Sequence, residues 1–147
     1  MMLLFMAGET GMIFVDTGAW IALTDTSDQY HSEAIRIYAE LKKQKEQFLT
    51  TDYVIDECVT RLRYDAGHRI AVRFLDLLTH SEHTGILQVI HIDKALFQKA
   101  ISIFRQYDSS NLSLTDCVSF VVCSMYEIHK AFAFDQHFTM MGISLCI

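Results

Sequence analysis

"MIFVDTGAWIAL", residues 12–23, places four apolar residues before an Asp-Thr-Gly turn and then resumes as a second apolar segment. A short continuous apolar run closed by turn residues predicts a strand buried on both faces, ending at Asp16 and feeding a helix through "AWIALTD". The same order recurs along the chain. Apolar residues at Ala34, Ile35, Ile37, Tyr38 and Leu41 predict an amphipathic helix from Asp28 to about Glu46, followed by a strand at "QFLTT" (47–51). A helix over 52–67 is expected to close on Gly67, with another running from His68 to about Ser81. "GILQVIHI" (85–92) reads as the third strand. Asp93 caps a helix to Tyr107, a further helix covers 114 to about 127, "KAFAFD" (130–135) is a fourth strand and "ISLCI" a fifth. Strands that alternate with helices and carry continuous apolar cores imply a parallel sheet covered on both faces.

At 147 residues the chain fits one domain, 12–147, and one site. The first eleven residues, "MMLLFMAGETG", are too short to span a bilayer and have no positive n-region, so they are expected to be a loosely ordered extension. A net charge of −6 argues against coating nucleic acid through bulk electrostatics and leaves room for a local basic strip. The four cysteines show no CxxC pair and no Cys/His ligand spacing, which suits buried thiols in a reducing cytoplasm.

In a parallel sheet with crossover helices, strand C-termini and helix N-termini share one edge, and ligands of open α/β sheets bind there. Asp16 ends the first strand, Asp135 ends the fourth, Asp116 opens the helix before it, and Glu57 lies early in the helix after strand two. Four acids from distant sequence should therefore converge on one rim. Like charges so close disfavour joint ionisation, and a hard cation such as Mg²⁺ or Mn²⁺ removes that penalty. Such an ion suits phosphodiester chemistry.

Each acid also has a purely structural reading. Ser113-Leu-Thr-Asp116 matches a capping box, and Asp16 or Asp135 could simply end a strand or begin a turn. The cap and the catalytic reading of Asp116 are compatible if Ser113 caps through its hydroxyl while the carboxylate turns to the metal. Periodicity leaves Asp56 and Glu57 flanking the core stripe on opposite sides and does not choose between them. Glu57 shares its flank with Tyr53, Arg61 and Tyr64, a mixture suited to a nucleotide backbone and a stacked base.

Taken together, "FVDTGAWIAL", "TTDYVIDECVTRL", "LSLTDCVSFVV" and "AFAFDQHF" resemble the motifs of PIN-domain nucleases, specifically VapC-like toxins of toxin–antitoxin pairs. The resemblance runs from Met12 to the C-terminus. It implies a three-layer α/β/α sandwich with a central, mainly parallel five-stranded sheet. It makes Asp16, Glu57 and Asp116 metal-binding acids with Asp135 as a more variable fourth, and so selects Glu57 over Asp56. Thr17 and Ser113 match hydroxyl positions that support the metal site. The implied activity is endoribonucleolytic cleavage with Mg²⁺ or Mn²⁺, by a cytoplasmic homodimer held inactive by a small antitoxin.

Arg61, Arg63, Arg69 and Arg73 supply the positive path that RNA would need beside Glu57, with Arg61, Tyr64 and Arg69 as the candidate substrate contacts. The alternative is that these arginines pair with Asp65 or Asp76 on a solvated face. His31, His68 and His137 receive no role. Two rival functions remain on the sequence. A phosphate-handling aspartate domain would need a second acid where Gly18 stands, or a lysine at a strand's C-terminal end. A non-enzymatic PIN-like binding module would be marked by a lost acid, and none of the four is missing.

Overall fold

The structure is a computed structural model and describes residues 11–108 and 111–147. The expectation of loose order over residues 1–11 falls, Gly11 apart, outside the described residues. The chain forms β1 (Met12–Val15), α1 (Thr17–Thr24), α2 (His31–Lys43), β2 (Gln47–Thr51), α3 (Asp52–Asp65) and α4 (His68–His83). It continues through β3 (Leu87–Ile90), α5 (Lys94–Gln106), α6 (Leu114–Met125), β4 (Lys130–Phe132), α7 (His137–Met140) and β5 (Ser144–Leu145).

The five strands make one sheet in the order β3-β2-β1-β4-β5, and every pairing is parallel. Ile13, Phe14 and Val15 of β1 are buried, as are Phe48 to Thr51 of β2, as expected for strands covered on both faces. The chain starts in the middle: β1 leads outward to β2 and β3, then β4 returns to the other flank of β1. Right-handed crossovers in opposite directions put their helices on opposite faces, which yields three layers. They also make the gap between β1 and β4 the place where strand order reverses. No helix among the described residues is long and apolar enough to cross a membrane.

Several boundaries differ from expectation. The α2 helix begins at His31 because Asp25 and Asp28 divert residues 25–30 into turns. Asp25 accepts from Ser27 N–H at 3.0 Å, and Asp28 accepts from Tyr30 N–H at 2.9 Å. The β4 ladder stops at Phe132, opposite Val15, because β1 ends there and residues 133–135 have no neighbour to pair with. At the sheet's edges β3 and β5 are likewise shorter than their apolar runs. The α7 helix, four residues long, is too short for periodicity to reveal. It seats a fully buried Phe138 against Phe14 and Phe120, with ring centroids 5.9 and 5.4 Å away. Gly67 closes α3 as expected: its N–H reaches Leu62 O at 3.0 Å with φ at +99°, a conformation costly for any residue with a Cβ.

Candidate active site

Asp16 follows β1 directly, and its backbone N–H still donates to Phe132 O of β4 at 3.1 Å. Its carbonyl accepts from the N–H groups of Ala19 and Trp20 and so starts α1. The residue occupies the N-cap position with extended backbone, yet its side chain makes no cap hydrogen bond. With only 4% of the residue exposed, the carboxyl is costly to ionise. Burial is the main reason its pKa rises to about 7; the Thr17 backbone N–H works the other way, and Asp116, Asp135 and Glu57 push it up further. Three acids from three other segments therefore act on Asp16 at the switch point between β1 and β4.

Glu57 is brought there by the start of α3. The Thr51 hydroxyl caps that helix by accepting from Val54 N–H at 3.1 Å, and Val54, Cys58 and Leu62 turn inward. This rotation leaves Asp56 exposed and Glu57 half-buried, its Oε1 accepting the hydroxyl of the buried Thr17 at 2.5 Å. The Cys58 thiol donates to Thr17 O at 3.7 Å, so α1 and α3 are tied together at Thr17 by two contacts.

Asp116 forms a full capping box: its N–H donates to Ser113 Oγ and its Oδ2 accepts from Ser113 N–H, both at 3.0 Å. The expectation that the hydroxyl alone caps while the carboxylate turns away is thus modified. Oδ2 of Asp116 serves the cap and leaves Oδ1 free of it. Burial raises the pKa of this carboxyl, the Ser113 backbone N–H and hydroxyl lower it, Asp135 raises it and His137 lowers it.

Asp135 lies three residues beyond β4, where its Oδ1 accepts from His137 N–H at 2.9 Å in an Asx turn. That turn swings the His137 ring over the acids: Nδ1 stands 2.8 Å from Asp135 Oδ1 and 3.7 Å from Asp116 Oδ2. Asp116, Asp135 and His137 offer ligand atoms that all lie within 4.8 Å of one another. The donor set, carboxylates and one imidazole, fits a divalent cation whose charge would relieve the repulsion felt at Asp16. The thiols of Cys58 and Cys117 sit near these acids, and burial raises both pKa values, which favours the thiol over the thiolate.

The remaining candidates lie outside this cluster. Arg61 is exposed one turn beyond Glu57, and its charge reaches Cys58. Tyr64 is 83% exposed, and Arg69 is exposed near the start of α4. Neither Arg61 nor Arg69 forms an ion pair with Asp65 or Asp76 among the described residues. His137, given no role by the sequence, joins the acids here; the signal for it is the Asp-x-His spacing of "DQH" after strand four, which an Asx turn folds back on itself. Lys130 opens β4 and therefore lies at the edge opposite the acids, away from where a phosphate-handling aspartate domain would need it.

A family model for the PIN domain matches residues 13–143. The chain therefore belongs to the PIN-domain family. Within that family its similarity is to VapC toxins: it is 31% identical over 131 residues to the 23S rRNA-specific endonuclease VapC20 of Mycobacterium tuberculosis, covering 89% of this chain and 95% of that one. The crystal structure of M. tuberculosis VapC20, a toxin that cleaves the sarcin-ricin loop, aligns with a TM-score of 0.78 at 29% identity over 89% of this chain and 95% of that one. VapBC2 from Rickettsia felis, bound to a promoter DNA fragment, aligns with a TM-score of 0.62 over 91% of this chain and 96% of that one. Its 9% identity is a likeness of fold alone.

Proposed function

We propose that the protein is a divalent-metal-dependent endoribonuclease and the toxin of a toxin–antitoxin pair. The observation that carries this reading is the unneutralised rim, where Asp16 is buried without a cap bond among three other acids. A bound Mg²⁺ or Mn²⁺ supplies Lewis acidity toward a phosphodiester and a more acidic attacking water. Asp16 and Asp116 hold the principal ion. Glu57 binds it or orients the water, with the Thr17 hydroxyl fixing one of its oxygens, while Asp135 serves a second ion. Ser113 keeps Asp116 in place through the capping box. Arg61 receives the RNA backbone, with Arg69 and Tyr64 further along α4 and α3.

The 31% identity to VapC20 makes 23S rRNA the first substrate to try. The VapBC structures that share this fold favour an antitoxin partner. The resemblance to VapC-like toxins adds that it covers the acidic rim and that the toxin acts as a homodimer, and four free cysteines suit a reducing cytoplasm. Purified protein incubated with ribosomal RNA and Mn²⁺ is expected to produce discrete fragments carrying 5′-phosphates. Chelator and Asp116→Asn should each abolish them. Cleavage that survives both controls overturns the metal–carboxylate mechanism.

A further inference from the structure

We propose that His137 is a ligand, through Nδ1, of the second cation that Asp135 serves, completing with Asp135 and Asp116 a mixed imidazole–carboxylate site at the C-terminal end of β4; this rests on the metal-dependent reading above. Three observations converge on that atom. Nδ1 is buried, although the side chain as a whole is 28% exposed, so its one enclosed polar atom is the one turned toward the acids. It has no hydrogen-bond partner. Its approach of 2.8 Å to Asp135 Oδ1 is short enough for a bond but wrongly directed, because the ring N–H axis does not point at that oxygen. His31 shows the ordinary outcome in the same molecule, its Nδ1 meeting Ala22 O at 2.7 Å.

Two electron-rich atoms held this close without a proton in line repel, and a cation beside both reverses the sign of the contact. Donors on adjacent corners of an octahedron with metal–oxygen distances of about 2.1 Å stand about 3 Å apart, and those on opposite corners about 4 Å. The separation of 2.8 Å from Nδ1 to Asp135 Oδ1 is near the adjacent-corner value, and the 3.7 Å to Asp116 Oδ2 lies between the two. The Asx turn makes the arrangement possible, since it anchors Asp135 and projects the imidazole from the next-but-one residue to the same point. With the proton on Nε2, Nδ1 presents its lone pair to the ion. An imidazole donor shifts preference away from Mg²⁺, which favours oxygen, toward Mn²⁺ and later first-row ions.

Pulsed electron paramagnetic resonance of Mn²⁺ bound to the RNA-free protein tests this directly. The wild type should show nitrogen modulation from a coordinated imidazole, and His137→Ala and His137→Gln should lose it. Calorimetry should show Mn²⁺ binding weakened by about tenfold or more in both variants. Mg²⁺ binding should weaken less, so the Mn²⁺ over Mg²⁺ preference falls. Metal-free melting of the two variants checks that each is folded. Wild type that binds Mn²⁺ without nitrogen modulation, or variants that retain the modulation, overturns the role of His137 and leaves the nuclease reading intact. Wild type that binds no Mn²⁺ overturns both.

Discussion

Asp93 and Asp16 occupy the same position in two helices and do opposite things. Each is an N-cap residue with extended backbone. Asp93 is exposed and spends its carboxylate on the cap, accepting from Leu96 N–H at 2.9 Å. Asp16 is buried, leaves its cap unmade and has its pKa lifted to about 7. A helix start therefore does not fix what an aspartate there is for. Burial and the charges around it decide, and Asp116, which serves its cap while Asp135 and His137 act on the same carboxyl, stands between the two cases.

The comparison is broken most easily by neutralising the rim. Asp16→Asn is expected to reduce cleavage by a thousandfold or more, equivalent to about 4 kcal/mol of transition-state stabilisation, with the single-turnover rate as the readout. Asp93→Ala should leave that rate unchanged. A comparable loss in Asp93→Ala would mean that helix integrity, and not the acidic rim, limits activity.

Asp16 should also reveal itself in stability. Its folded pKa lies above its unfolded value of 3.8, so the folded state binds the extra proton and is favoured at low pH. That advantage is full below 3.8 and is lost as pH rises through about 7, a change of roughly 4 kcal/mol. Denaturant melts in chelator, with Asp16→Asn as reference, should show the wild type losing stability relative to the variant between pH 4 and pH 8. The raised pKa of Asp116 acts in the same direction. Saturating Mn²⁺ should recover much of the loss at pH 8. A difference between wild type and variant that does not vary with pH would mean that Asp16 is already neutralised by something else.

The caps themselves give the smaller numbers. Asp93→Ala should cost about 1 kcal/mol. Asp116→Asn should cost less, because an amide oxygen can still accept from Ser113 N–H, whereas Asp116→Ala removes half of the box and should cost about 1 kcal/mol. Equal losses for Asn and Ala would show that the charge, not the hydrogen bond, holds the start of α6.

Much of this was legible from residue order. Continuous apolar runs at 12–16 and 47–51 reveal strands buried on both faces, and parallel topology then carries Asp16 and Asp135 to one edge without any knowledge of side-chain positions. What periodicity could not supply was rotation. Asp56 and Glu57 flank the same stripe, and only the position of Thr17, forty residues away, distinguishes them in space. Nor could it supply turns too short to repeat: α7 has four residues, and the Asx turn that delivers His137 to the acids is a single hydrogen bond. The apolar runs outlast the strands for a related reason, since hydrophobicity persists through Ala133 and Phe134 after the pairing partner has stopped.

The contrast between committed and uncommitted charge extends to the cations. Among the described residues Arg61 forms no ion pair, yet it follows Glu57 by one turn and lies close enough to act on the Cys58 thiol. A guanidinium with no carboxylate partner beside an acidic rim is placed to meet a phosphate. If it neutralises one phosphate of single-stranded RNA, Arg61→Ala should weaken binding a few-fold and reduce the slope of log K against log salt by about 0.7. Arg105, in the last turn of α5, provides the control, for a substitution there should leave the slope unchanged. Measurement on the Asp116→Asn protein separates binding from turnover. An Arg61→Ala slope equal to the parent's would make Arg61, like Asp93, a residue serving only the helix it belongs to.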